Sequence, residues 1–266
     1  MPTADLGDVR IHYQRRGEGP PVLGIMGFGL DQRFWAGQIP VVTATHSFVT
    51  FDNRGLGRSS GGTPPASISD MAGDAVGLLD HLGIEDAVVF GVSMGGAIAQ
   101  RIALDHPRRV SALILGMTWA RPIEFMRRQH GAVEVLLRAG APETFIDATL
   151  VRMFTPLFFE LGRDSIDRMM ASFFATGAPE LADREVLLAQ LDAIDKHDCL
   201  FELGTISVPT LVLGGRADTM VPFFASEEIA AAIPGAELVA FDTGHACMVE
   251  EMPEFNERVS EFLKRL

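Results

Sequence analysis

Gly91-Val92-Ser93-Met94-Gly95 is the stretch on which the reading of this chain turns. The apolar run before it, Ala87-Val88-Val89-Phe90, predicts a buried strand. The small-residue segment after it, Gly95-Gly96-Ala97-Ile98-Ala99-Gln100, predicts a helix. The order is therefore strand, tight turn, helix, with a serine at the apex. Glycines two before and two after the serine suit a turn so sharp that side chains there would strike neighbouring backbone. The serine itself is expected in a strained conformation. Its hydroxyl then projects above the sheet edge, facing the free N–H groups at the start of the helix.

Size and composition set the frame. With 266 residues, 47% of them hydrophobic, the chain suits one large α/β domain with a full core, or a domain with one sizeable insertion. Lys plus Arg number 22 against 35 Asp plus Glu, a formal net charge of −13, which repels phosphate backbones and argues against a nucleic-acid partner. Cys199 and Cys247 stand in no metal-type spacing, and two cysteines make no disulfide framework. The first residues, Met1-Pro2-Thr3-Ala4-Asp5-Leu6, have neither a basic start nor an apolar stretch, and no run is long enough to span a membrane. The expectation is a soluble cytoplasmic protein that binds no membrane.

Further strands are expected at 9–13, 22–26, 48–52, 110–117, 210–214 and 237–241, alternating with helices over 67–82, 94–106, 222–232 and 253–266. Ser67 and Asp70 form a helix-start box, and Gly83 ends that helix. Such alternation implies a mostly parallel, doubly wound sheet with helices on both faces. The section from 121 to 204 breaks it. There the apolar spacing is helical throughout, with candidate helices at 123–139, 143–154, 165–174 and 180–195. The core domain is thus expected over 1–120 and 205–266, and 121–204 as an all-helical cap inserted between two strands.

A serine nucleophile needs a base to take its proton and a carboxylate to orient that base. His245 follows the last strand, on the sheet edge where ligands bind in open α/β folds. Asp218, in the loop after the 210–214 strand, is the expected acid, and Asp242 is its rival, three residues before the histidine. Backbone N–H groups of Met94 and of Phe28, in the loop Met26-Gly27-Phe28-Gly29, are the expected oxyanion hole. This chemistry calls for no metal and no organic cofactor.

With these stretches in place, the chain resembles the α/β-hydrolase superfamily. The resemblance also takes in Phe51-Asp52-Asn53-Arg54-Gly55-Leu56-Gly57-Arg58-Ser59 and Thr243-Gly244-His245. It implies an α/β-hydrolase fold, an eight-stranded sheet with a helical cap, and the catalytic triad Ser93, Asp218, His245. The 52–59 stretch is implied as a buttress, with Arg54 structural. The family commonly has histidine just before the first loop glycine, where this chain has Met26.

Aromatic and methionine side chains of the insertion, among them Met169, Met170, Phe173 and Phe174, predict an apolar interior. Trp119, Met26, Phe125, Phe154 and Phe158 are the candidate pocket residues. The expected activity is hydrolysis of a carboxylic ester or lactone of a small hydrophobic substrate. Carbon–carbon bond hydrolases and cofactor-free perhydrolases or haloperoxidases keep the same triad and stay open. A non-enzymatic small-molecule receptor is the remaining alternative.

Overall fold

In the computed structural model, which describes residues 2–164, 166–168 and 183–266, the strand-forming runs assemble into one sheet. Among the described residues its strands are β1 (Thr3–Asp5), β2 (Val9–Arg16), β3 (Pro21–Ile25), β4 (Ser47–Phe51), β5 (Ser60–Gly61), β6 (Ala87–Val92), β7 (Val110–Gly116), β8 (Thr210–Gly215) and β9 (Glu237–Phe241). Their spatial order is β1-β2-β4-β3-β6-β7-β8-β9, with β5 a two-residue partner of β2. Eight strands lie on the main path, as the resemblance implies, and β5 is an addition too short to leave a pattern. From β4 to β9 all neighbours run parallel; β1 and β2 pair antiparallel at one edge.

Side chains alternate across this sheet and so build two cores. Val89 of β6 packs with Leu23, Val49 and Leu113 on one face, while its neighbours Val88 and Phe90 pack with Val22, Phe48 and Ile114 on the other. Both faces are covered, which is why the central strands read as continuous apolar runs rather than alternating ones. The helices in chain order are α1 (Ile39–Val42), α2 (Ile68–His81), α3 (Met94–Asp105), α4 (Glu124–Arg138), α5 (Pro142–Met153), α6 (Pro156–Leu161), α7 (Arg184–Lys196), α8 (Phe224–Ala232), α9 (Cys247–Glu250) and α10 (Met252–Leu263). The first core takes in α2, α3 and α8; the second takes in α1, α9 and α10.

Local chemistry sets the element ends. Ser67 Oγ accepts from Asp70 N–H (3.1 Å) and Asp70 Oδ2 accepts from Ser67 N–H (3.0 Å), closing a reciprocal box at the start of α2. Asp52, after β4, accepts from the N–H groups of Gln32 (3.0 Å) and Arg58 (2.8 Å). Arg54 makes a two-pronged pair with Asp74 of α2, at 2.6 and 2.5 Å, both side chains nearly enclosed. The 52–59 stretch is tied into the body of the domain by these contacts, and Arg54 has a structural partner.

The helices α4 to α7 lie in the chain between β7 and β8. The expected helices at 123–139 and 143–154 are α4 and α5, each within two residues of its expected ends. That at 180–195 is α7, which starts at Arg184 with the Asp183 side chain accepting from Glu185 N–H (3.0 Å). The short α6 was not expected; Thr155 caps it and Pro156 opens it. The expected helix at 165–174, with Met169, Met170, Phe173 and Phe174, lies outside the described residues apart from 166–168. Val133, Leu137, Phe145, Val186, Leu187 and Leu191 pack α4, α5 and α7 into a cluster of their own, against Leu56 of the core.

Where this section returns to the core, His197 is buried edge-on against Trp119, with ring centroids 6.2 Å apart. Burial, with a smaller push from the Arg101 charge, lowers its pKa from 6.5 to about 4. The unfolded chain therefore binds one more proton than the folded one between about pH 6.5 and 4. This residue accordingly costs the fold on the order of 3 kcal/mol as pH falls through that window, and nothing above it. Urea midpoints for the parent and His197→Gln should converge in their pH dependence above pH 7 and separate below pH 6, with the parent falling more steeply. Equal slopes across the window would contradict the assignment.

Candidate active site

Ser93 sits at the end of β6 with φ 56° and ψ −121°, a left-handed conformation unusual for a residue with a side chain. Strain of this kind costs about 1–3 kcal/mol and persists only where the surroundings enforce it. The enforcement is visible at the flanking glycines. A Cβ on Gly91 would run into the carbonyl of Gly95, and one on Gly95 into the carbonyl of Ile25 at the end of β3. The Ser93 N–H donates to Gly116 O (2.8 Å), and its carbonyl accepts from Thr118 Oγ (2.8 Å) and Gly96 N–H (2.9 Å). Thr118, just beyond β7, is a support that no spacing in the sequence announced.

The strands β3 and β6 are neighbours whose connections leave in opposite directions, so their carboxyl ends open a crevice. The loop after β3 lines it. Asn53 Nδ2 donates to Met26 O (3.3 Å) and Gly29 N–H donates to Gln190 Oε1 (3.1 Å). Both ends of Met26-Gly27-Phe28-Gly29 are thus tethered by side chains, without the imidazole that Met26 replaces. Gln190, fully buried on α7, is a second support missed from sequence, because a glutamine within a helix carries no mark of its target.

His245 follows β9 and lies at the same rim. Its Nδ1 is 2.7 Å from Asp218 Oδ2, and both side chains are almost wholly buried. Asp218 Oδ1 accepts from Met220 N–H (2.7 Å) and Val221 N–H (2.9 Å). The carboxylate is fixed from two sides, so it accepts a hydrogen bond from Nδ1–H and leaves Nε2 with its lone pair. Asp242 is elsewhere: its side chain is 92% exposed and pairs with Arg216 at 3.2 Å. Among the described residues no group of three or more His, Cys, Asp or Glu could hold a metal. Cys199 and Cys247 are buried, and burial pushes each thiol up to about 12, so both are packing residues at neutral pH.

Two cavities meet at Ser93 and His245, and Phe28, Phe145, Thr149 and Met220 also line both. The larger, about 1030 Å³ including its open mouth, is apolar, with Met26, Leu30, Leu150, Met153 and Met248 in its walls. The smaller, about 490 Å³, adds Trp119, Met126, Gln129, His130 and Arg152. Met26 and Trp119 therefore face the expected space. Three other expected pocket residues do not. Phe125 is 52% exposed, because one residue's rotation along α4 puts it on the outer face and Met126 on the inner one. Phe154 stacks on Phe158 with centroids 5.2 Å apart, in a satellite cluster with Met153 and Ile166. The wall that sequence reasoning missed is the face of α5 formed by Phe145, Thr149 and Met153, spaced four apart and so legible as one helical stripe.

The sequence pattern described as "alpha/beta hydrolase fold" matches residues 20–251. A protein of Azorhizobium caulinodans named "Putative carbamate hydrolase RutD" is 32% identical over 263 residues, covering 98% of each chain. The chain belongs to the α/β-hydrolase fold family. Among solved structures, the enol-lactonase of Burkholderia xenovorans LB400 superposes with a TM-score of 0.89 at 29% identity, covering 99% of this chain and 100% of that one. A thermophilic esterase of Thermogutta terrifontis gives 0.84 at 28% identity, covering 97% and 94%.

Proposed function

We propose that this chain is a serine hydrolase that cleaves a carboxylic ester or lactone of a small, largely hydrophobic substrate. The observation that carries the reading is the Asp218–His245 pair, 2.7 Å apart, at the rim of a cavity that Ser93 also lines from a strained elbow. The enol-lactonase and esterase neighbours act on bonds of this kind, which supports it.

In this mechanism His245 Nε2 takes the Ser93 proton as Oγ attacks the carbonyl carbon. The carbonyl oxygen gains negative charge and accepts from the N–H groups of Phe28 and Met94, each worth on the order of 3 kcal/mol of barrier. Collapse expels the alkoxide, which leaves with the proton from His245. Water then attacks the acyl-enzyme by the same route in reverse, releasing the acid and restoring Ser93. Asp218 holds the ring in register and stabilises its protonated form. The helices α4 to α7 act as a cap that excludes water and supplies the apolar wall. No metal or organic cofactor takes part in this scheme.

A fluorophosphonate probe should label Ser93 at one per chain, and a chain-length series of 4-nitrophenyl esters should be turned over with an optimum at short to medium acyl groups. Parallel assays with a 4-nitrophenyl carbamate, a vinylogous diketone and peroxide-dependent halogenation separate the same triad's other chemistries. Tight ligand binding with neither labelling nor turnover would replace the enzyme reading with that of a receptor.

A further inference from the structure

The acyl-transfer scheme leaves one charged wall of the smaller cavity without a task. Arg152 stands there, half-buried, in the last turn of α5. Its Nε donates to Ala148 O (3.0 Å) and its Nη1 to Gln129 Oε1 (2.7 Å). Gln129 Nε2 donates in turn to Thr219 O (2.8 Å), and Thr219 Oγ donates to Arg152 O (3.1 Å). These bonds form a ring that ties α4 and α5 to the loop carrying Asp218.

The ring orients the guanidinium but does not neutralise it. A guanidinium has five N–H donors, and the two bonds above use two of them. Among the described residues Arg152 has no ion pair, whereas Arg54, Arg101, Arg109 and Arg121 each have a carboxylate partner. The nearby His130 is itself occupied by Asp195 at 2.6 Å. Burial alone acts on the Arg152 charge and lowers its pKa; no acidic side chain offsets it. A partly desolvated cation without a counter-charge is costly. It is the more notable in a chain with 35 acidic residues to 22 basic ones.

We propose that Arg152 is the anchor for a carboxylate of the substrate: the anionic end seats in the smaller cavity, the apolar remainder in the larger one, and the scissile carbonyl at Ser93 between them. The substrate class narrows to esters or lactones that carry one carboxylate a few bonds from the reacting centre. The planar fork of arginine grips a carboxylate with two parallel hydrogen bonds, which lysine cannot reproduce. The net charge of −13 opposes such a substrate at long range, but screening confines that effect to about 8 Å at physiological salt. This inference rests on the serine-hydrolase reading above.

Four esters test it. Mono-4-nitrophenyl glutarate and its methyl ester place the carboxylate, free or masked, on the acyl side. 4-Butyryloxybenzoate and its methyl ester place it on the alcohol side. In one of these arms kcat/KM should favour the free carboxylate by about 10- to 100-fold, mainly through KM. Arg152→Met should bring that ratio to one or below, and Arg152→Lys should retain part of it. Equal rates for the free and masked forms in both arms of the unaltered enzyme overturn the proposal while leaving the hydrolase reading intact, and this comparison does not depend on a variant folding. A preference that survives intact in a folded Arg152→Met also overturns it. If none of the four is turned over and Ser93 is not labelled, both readings fall.

Discussion

Under the proposed mechanism, Ser93→Ala is expected to lower kcat by roughly 10⁴–10⁶, with the fold intact. The size of the loss follows from what the hydroxyl contributes. Without it the acyl-enzyme cannot form, and only whatever the oxyanion donors and binding can do for direct attack by water remains. The expectation of an intact fold follows from the elbow: alanine has the same Cβ as serine, and the contacts that hold residue 93 are made by its backbone, to Gly116, Thr118 and Gly96. Thermal midpoints within a few degrees of the parent, together with lost turnover and lost fluorophosphonate labelling, are the expected result. A variant that kept near-full turnover would remove the acyl-enzyme mechanism altogether.

Asp218→Asn has the second-largest expected effect, a loss of about 10⁴ in kcat on the pattern of buried triad acids. An asparagine oxygen could still accept from the N–H groups of Met220 and Val221, so the loop should keep its shape. The other end becomes an NH₂ that donates toward His245 Nδ1. That favours the tautomer with the proton on Nε2, where the lone pair is needed. Asp242→Asn is the matched control. It removes an exposed charge paired with Arg216 and should leave kcat within about twofold. A large loss at 242 with little loss at 218 would reverse the assignment of the acid. Burial and the bond to Nδ1 favour 218.

The parts of this molecule that sequence made legible are those where one residue type is forced by one geometry. Gly91 and Gly95 are small because backbone passes within contact of both, and that need is written as G-x-S-x-G. Strands β3, β4, β6 and β8 are apolar on both faces because helices cover both faces, so their runs stand out. His245 and Asp218 were placed by following strand ends to one rim. What stayed hidden depends on facing direction. Phe125 and Met126 are adjacent and both apolar, and only the phase of α4 sends one outward and the other into the cavity. Phe154 and Phe158 satisfy each other rather than a ligand. Gln190, Thr118 and Arg152 act across long sequence separations through hydrogen bonds, which no periodicity encodes.

The bond from Gly29 N–H to Gln190 makes the roof and the floor of the site one mechanical unit. Gln190 belongs to α7, and Gly29 to the loop whose neighbouring amide is proposed to receive the oxyanion. In the proposed mechanism, a movement of α7 that admitted a bulky substrate would break that bond and release the loop, so entry and readiness to react would alternate. Such an interlock would keep the proposed nucleophile from idle contact with bulk water while the loop is released.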